Sequence, residues 1–308
     1  MAQSTASLRI GTRGSPLALV QTRMVAARLA AALGIGVDAI EIKVIRTSGD
    51  AIQDRPLADE GGKGLFTKEI EDALLQGAID LAVHSAKDMP TILPNGLMLA
   101  ACLEREDARD VFITDKVKSL AELPHGATLG TTSPRRQAIA KSMRPDLRLL
   151  PLRGNVETRL RKLDDGQVDA TILALAGLKR LGLAQRATRI MSAEEFLPAA
   201  GQGAIGIEVR TDDTRVRDAL ARIDHADTSS AVACERAFLA ALDGSCKTPI
   251  AGHATISGDA IQFRGLIAKT DGSAMHDFAA HGHRSDASKI GGEAGYALKR
   301  MAGPGFFD

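Results

Sequence analysis

Two similar α/β halves followed by a small α+β tail are the fold class that the sequence predicts, and three observations predict it. The segments "IGTRGSPLALVQ" (10–21) and "LGTTSPRRQAIA" (129–140) share one layout: strand, Gly-Thr, Ser-Pro, helix. The segments "LLQGAIDLAVHSA" (74–86) and "LDDGQVDATILALA" (163–176) share a second: helix, Gly, two residues, Asp, strand. Both echoes run in the same order, although chance similarity of ordinary strand–helix grammar is the competing explanation. After position 210 the texture changes. Three alternating segments follow, separated by Gly-Asp and Asp-Gly, which is a strong hairpin signal.

The elements follow in order. "LRIGT" reads as a strand. In the helix after it, Ser15 is placed as N-cap, Pro16 at the first helical position and Gly34 past the end. "AIEIKVIRT" alternates and is β-branched, so it is the next strand. Residues 48–64 are polar and glycine-containing, a length of loop that is usually functional or disordered. "LFTKEIEDALLQG" returns to helical spacing, and "AIDLAVHSA" is a buried strand ending at "KDMP". "LMLAACL" and "DVFIT" are apolar runs of strand length that carry the chain into the second half. There "ATLGTTSPRRQAIAKSM" repeats the opening. "PLRGNVETRLRKL" puts Arg153 at a strand end and Arg159 in the following helix, and "GLKRLG" puts Arg180 just after another strand. "LPAAGQGAIGIEVR" is a strand with a glycine-rich lead-in. "TRVRDALARI" and "SSAVACERAFLAALDG" are helices, and "DASKIGGEAGYALKRM" is a closing helix beside the three-stranded meander.

Composition narrows the function. The 308 residues are enough for two or three domains, and 44% are hydrophobic, so a sizeable core is expected. Lys plus Arg is 39 against 38 for Asp plus Glu, which gives no global attraction to nucleic acid or anionic membrane. Aromatics are 3%, with no Trp, which weighs against base-stacking platforms. The first ten residues lack a basic stretch followed by an apolar one, and no run of about 18 apolar residues exists. Three distant cysteines do not make a disulfide framework. A cytoplasmic protein with reduced thiols is expected.

Anion chemistry must therefore come from local clusters. Both Ser-Pro helix starts offer free backbone N–H groups and a positive dipole end. Arg13 lies beside the first; Arg135 and Arg136 occupy the first turn of the second, against the dipole preference. Taken alone, that pair reads as a solvated surface feature. With Arg153 and Arg180 it maps to the carboxyl ends of strands, where open α/β sheets bind ligands. Arginine makes planar, bidentate bonds to carboxylates, so a ligand with several negative groups is implied. "HSAKDMP" brings Lys87 and Asp88 to another strand end, as an ordinary ion pair or as an anion contact and a catalytic carboxylate. His84 falls inside the apolar strand and reads as structural. Lys63, among glycines at the edge of the long loop, fits a mobile lid or a flexible linker.

Cys102 and Cys234 sit in apolar settings and read as small buried hydrophobes. Cys246, in "LDGSCKTPIAG", does not. It lies on a polar turn beside Lys247, with no cysteine or histidine at metal-ligand spacing. A neighbouring cation lowers a thiol pKa and favours the reactive thiolate.

Eight stretches in order, "IGTRGSPLAL", "GGKGLFTKEIE", "DLAVHSAKDMP", "GTTSPRRQA", "LRGNVETRL", "LAGLKRLG", "LPAAGQGAIGIEVR" and "GSCKTPIAG", make the chain resemble the hydroxymethylbilane synthase (porphobilinogen deaminase) family over nearly its full length. The resemblance implies a transferase of tetrapyrrole (haem) biosynthesis. It joins four porphobilinogen molecules head-to-tail into linear hydroxymethylbilane and releases ammonia at each addition. It implies one dipyrromethane cofactor per chain, made from the substrate and held by a thioether to Cys246. Two domains resembling the halves of a type II periplasmic binding protein are implied, residues 1–103 with 200–221 and 104–199, with a third domain, 222–308, bearing the cofactor loop at 243–249. Carried over position by position, Asp88 is the catalytic carboxylate. Lys87, Ser133, Arg135 and Arg136 hold the cofactor. Arg13, Ser15, Arg153, Arg159, Arg180, Lys63 and Gln202 serve substrate binding. A monomer with no metal, nucleic-acid or membrane partner is expected. Many members carry two glycines before the cysteine, where this chain has Gly244 and Ser245. The runner-up from the residues is a non-catalytic cytoplasmic binding protein for small polycarboxylates.

Overall fold

The computed structural model describes residues 8–51, 67–244 and 248–307, without the side chains of residues 50 and 51. The chain divides into two compact units, residues 1–105 with 204–229 and residues 106–203 with 230–308.

The first unit opens with β1 (Leu8–Thr12), α1 (Pro16–Leu33) and β2 (Ile40–Val44). It continues through α2 (Ser48–Ala51), α3 (Lys68–Leu75), β3 (Leu81–Ser85) and β4 (Leu97–Cys102), and is completed by β10 (Ile205–Arg210) and α7 (Thr214–Ala221). A short helix thus starts the segment read as a loop from 48; residues 52–64 lie outside the described ones, Lys63 among them. The sheet order is β2-β1-β3-β10-β4, with β1 parallel to both neighbours and β10 antiparallel to β3 and β4. Val25, Ala26, Leu29 and Ala30 of α1 face a core shared with Ile10, Leu81, Val83, Ile207 and Leu220. Ser15 caps α1 by accepting from Ala18 N at 3.3 Å, and Gly34, at φ 66°, closes it.

The second unit contains β5 (Asp110–Ile113), β6 (Thr128–Gly130), α4 (Pro134–Met143), β7 (Arg148–Leu150), α5 (Val156–Asp164), β8 (Ala170–Ala174), α6 (Leu175–Arg180) and β9 (Arg189–Ile190). Its sheet order is β7-β6-β8-β5-β9, with β6 parallel to both neighbours and β5 antiparallel to β8 and β9. This is the first sheet's pattern again: three parallel strands, then a strand running the other way, supplied from outside the repeated segment.

The echoes have physical causes. Asp80 accepts from Arg9 N at 2.8 Å, and Asp80 N donates to Arg9 O at 2.8 Å. Asp169 accepts from Thr128 N at 2.7 Å, and Asp169 N donates to Thr128 O at 3.0 Å. Each aspartate thus pins the strand that carries the next Gly-Thr. A Cβ on Gly11 would stand 2.2 Å from Ile79, and one on Gly130 would stand 3.0 Å from Val168. Ile79 and Val168 each precede those aspartates, so the Gly-Thr glycine packs closely against the same position in both halves.

The tail has α8 (Ala226–Ala241), the antiparallel sheet of β11 (Ile250–Ser257), β12 (Ala260–Ala268) and β13 (Met275–His283), and α9 (Ala287–Ala302). Gly258 and Gly272, at φ 59° and 74°, make the hairpin turns. Phe238 of α8 packs at a tilt against Phe263 of β12 with centroids 4.9 Å apart. Ala251, Leu266 and Ala268 join a core with Ala138 and Ile139 of α4, so the tail sheet packs on the helix that starts at Ser133-Pro134.

The fold class is the expected one: two mixed α/β sheets of like topology and a three-stranded antiparallel sheet with helices. Arg180, expected just after a strand, is the last residue of α6, which follows β8 directly. Leu175, Ala176 and Leu178 are buried there, and these apolar residues suit a short buried helix as well as a strand.

Candidate active site

In the first unit, the polar groups gather at the carboxyl ends of β1 and β3, which are adjacent and parallel. Arg13, half-buried, follows β1, and Ser15 caps α1. Gln21 of α1 donates to Ser85 Oγ at 2.9 Å, which fastens the end of β3 to the same helix. After β3 a 3₁₀ turn carries Ala86, Lys87 and Asp88. Ala86 and Met89 are buried, and Ala86 N donates to Ala204 O at 3.0 Å. The apolar pair holds the turn from both sides, which leaves Asp88 exposed and Lys87 half-buried. Beneath it, His84 lies 3.1 Å from Glu208 of β10, both buried. That pair supports the structural reading of His84.

In the second unit the polar groups follow β6, β7 and β8, again at carboxyl ends. Ser133 caps α4 by accepting from Arg136 N at 3.4 Å. Arg135 and Arg136 are buried, so the solvated-surface reading of the pair is wrong. Both turn onto Asp110, at 2.7 Å each. Burial alone would push the Asp110 carboxyl up; the two guanidinium charges outweigh it and hold it below its ordinary value. Arg153 is half-buried just ahead of α5, whose first turn is capped by Asn155 accepting from Thr158 N at 2.8 Å. Gly154 sits at φ 115°, where a Cβ would meet Thr158 at 2.6 Å, so this turn needs glycine. Arg159 Nε donates to Gly154 O at 2.9 Å. Arg180 Nη2 donates to Gly203 O at 2.7 Å, while its buried Nε has no hydrogen-bond partner. Burial lowers its pKa to about 10, against the opposing pull of Glu106.

Gln202 is wholly buried, and its amide donates to Ala108 O at 2.7 Å and Asp110 Oδ1 at 3.1 Å. Asp110 itself is the residue that sequence reasoning missed. It stood at the start of an apolar strand, and its only signal was a charge in a buried run. Cys102 and Cys234 are buried, as their apolar settings predicted. Burial pushes the Cys234 thiol up to about 12, with the charge of Glu235 adding to it. Cys246 and Lys63 lie outside the described residues. Among the described residues no cluster of three or more His, Cys, Asp or Glu could hold a metal ion, and no helix is long and apolar enough to cross a membrane.

Each unit presents cationic groups near a capped helix start, Arg13 in the first and Arg135, Arg136 and Arg153 in the second, and that chemistry fits a ligand bearing carboxylates. Known proteins agree with that chemistry. The family model "porphobilinogen deaminase, dipyromethane cofactor binding domain" matches residues 8–218, and that of the "C-terminal domain" matches 229–300. A porphobilinogen deaminase from Nitrobacter winogradskyi is 58% identical over 298 residues, covering 97% of this chain and 94% of the relative. One from Nitrobacter hamburgensis is 57% identical over the same shares. A nutrient binding protein from Burkholderia cenocepacia bound to methionine superposes with a TM-score of 0.42 at 16% identity, covering 70% of this chain and 90% of that one. That likeness is too loose to carry weight beside the strand orders themselves. With two family models in sequence along the chain and relatives near 60% identity over almost all of it, the chain belongs to the porphobilinogen deaminase family.

Proposed function

We propose that this chain joins four porphobilinogen molecules into linear hydroxymethylbilane, with dipyrromethane held on Cys246 and with Asp88 as the catalytic carboxylate. The observation that carries the assignment of roles is the buried Arg135–Arg136 pair. Two guanidiniums share one carboxylate, and Arg135 Nε is buried without a hydrogen-bond partner. One positive charge is left over at a capped helix start, which suits a polycarboxylate group. When bound, the dipyrromethane supplies the free pyrrole carbon to which the first substrate is joined.

The chain's own residues do the rest. Arg135, Arg136, Ser133 and Lys87 hold the cofactor's carboxylates. Arg13, Ser15, Arg153, Arg159 and Arg180 take those of the substrate and the lengthening chain. Lys63 completes this set, and Gln202, wholly buried, serves it indirectly through its hold on Asp110. When the aminomethyl C–N bond of porphobilinogen breaks, ammonia leaves and positive charge spreads over the pyrrole. Asp88, exposed on its turn, stabilises that charge. It also accepts and passes on the proton lost as the new C–C bond forms. We read the protein as a cytoplasmic monomer with no nucleic-acid or membrane partner, on the strength of its balanced charge and its three widely spaced cysteines. Domain limits at 1–103 with 200–221, 104–199 and 222–308 remain our division for function, with the loop 243–249 bearing the cofactor.

Intact mass tests the assignment. The purified chain should exceed its sequence mass by a dipyrrole, and Cys246→Ala should match its sequence mass. An adduct that survives in Cys246→Ala would remove that residue from the role, and a wild-type chain without any adduct would favour a plain polycarboxylate-binding protein.

A further inference from the structure

Asp110 opens β5 and is wholly buried. Its Oδ1 accepts from Arg136 Nη2 at 2.7 Å, from Arg136 Nε at 3.1 Å and from Gln202 Nε2 at 3.1 Å. Its Oδ2 lies 2.7 Å from Arg135 Nη2. Each arginine is also tied to backbone, Arg135 Nη1 to Leu197 O at 2.7 Å and Arg136 Nη1 to Ile172 O at 2.9 Å. The Arg135 guanidinium stands 5.7 Å from the centre of the Phe196 ring. Gln202 is held in turn by Ala108 O at 2.7 Å.

Two like charges buried side by side in the first turn of a helix are unfavourable three ways: by desolvation, by mutual repulsion and by the helix dipole. A single ionised carboxylate between them offsets much of that cost. It also fixes which way each planar fork points. A pair serving stability alone would be replaceable by apolar side chains of like volume and would have its buried donors satisfied. Arg135 Nε is not satisfied.

We propose that Asp110, steadied by Gln202, is a positioning residue that sets the direction and the net single charge of the Arg135–Arg136 pair, so that the start of α4 takes one carboxylate of the dipyrromethane. This rests on the reading that the arginine pair holds that cofactor.

The test uses the full chain, prepared without porphobilinogen and then exposed to it, with intact mass following the gain of the dipyrrole. Asp110→Asn keeps the size and one acceptor oxygen but removes the charge. It should load at least about tenfold more slowly, since hydrogen bonds to charged groups are worth roughly that factor or more. Gln202→Leu removes only the support and should slow loading about threefold. Thermal midpoints of loaded and unloaded protein give a second readout. A merely structural role would lower both alike, whereas a positioning role narrows the gap between them. Normal loading with an unchanged gap in Asp110→Asn would overturn the proposal. If that variant does not fold, Gln202→Leu decides in the same way. Full loading of an Arg135→Leu, Arg136→Leu double variant would instead sink the reading of the pair, and the proposal with it. An unloaded double variant beside normally loading Asp110→Asn and Gln202→Leu would sink the proposal alone.

Discussion

Asp88 is exposed because its neighbours are not: Ala86 and Met89 seat the turn, and the carboxylate is what remains outside. Asp88→Asn should therefore fold and carry its cofactor, with turnover down about a hundredfold or more if the charge stabilises a cationic transition state. Single-turnover kinetics on mass-verified holoprotein measure this, and a near-wild-type rate would take Asp88 out of the chemistry. The thiols should separate as sharply. Cys102 and Cys234 are 1% and 0% exposed, so alkylation of native protein at pH 8 should spare both and reach them only on unfolding. Local cap chemistry made Ser15 and Ser133 legible, because a Ser-Pro pair ahead of a periodic run states its own role. The partner of the two arginines was not legible. Asp110 lies 25 and 26 residues away along the chain, and only the pairing of β5 with β8 brings it to α4.

At the scale of elements, α9 approaches α8 through glycines. A Cβ on Gly291 would stand 1.9 Å from Cys234 O, and one on Gly295 would stand 2.8 Å from Phe238 O. Neither obstacle is a side chain that could swing away. Gly291→Ala should cost about 1–3 kcal/mol by pushing the helices apart, read as a lower denaturant midpoint at unchanged slope. Gly292, with open space around it, is the control: Gly292→Ala should be neutral or stabilising by up to about 1 kcal/mol, as expected for alanine in a helix interior. Long periodic elements such as α1 and the three tail strands could be read from the sequence because their apolar pattern repeats enough times to be distinctive. β9 could not. It has two residues, neither of them buried, and exists only as a partner of β5.

The whole molecule should be acid-sensitive in a stated direction. Asp169 is held well below its ordinary pKa by Lys116 and by the Thr128 backbone and hydroxyl, and Asp146 by Arg144 and Gly126 N. Asp80 is depressed too, since the bonds from Arg9 outweigh its burial. A carboxyl whose folded pKa is depressed stabilises above its unfolded value, near 4, and loses that contribution as pH falls through the folded one. The thermal midpoint should thus be level from pH 7 to about 5 and fall below about pH 4. Asp169→Asn should start lower and fall less steeply; a parallel acid limb would show that Asp169 is not among the groups responsible. The interleaving of the two sheets sets a timetable during synthesis. β1 to β4 are all made by residue 102, yet the strand that belongs between β3 and β4 ends at residue 210. At ribosomal speeds that is a wait of roughly 5–20 s. Meanwhile every strand of the later sheet, ending at residue 190, has been synthesised. The sheet encoded second can therefore assemble first, and the nascent chain carries two unpaired strand edges for the whole interval, which makes this stretch of translation the one in which a chaperone matters most.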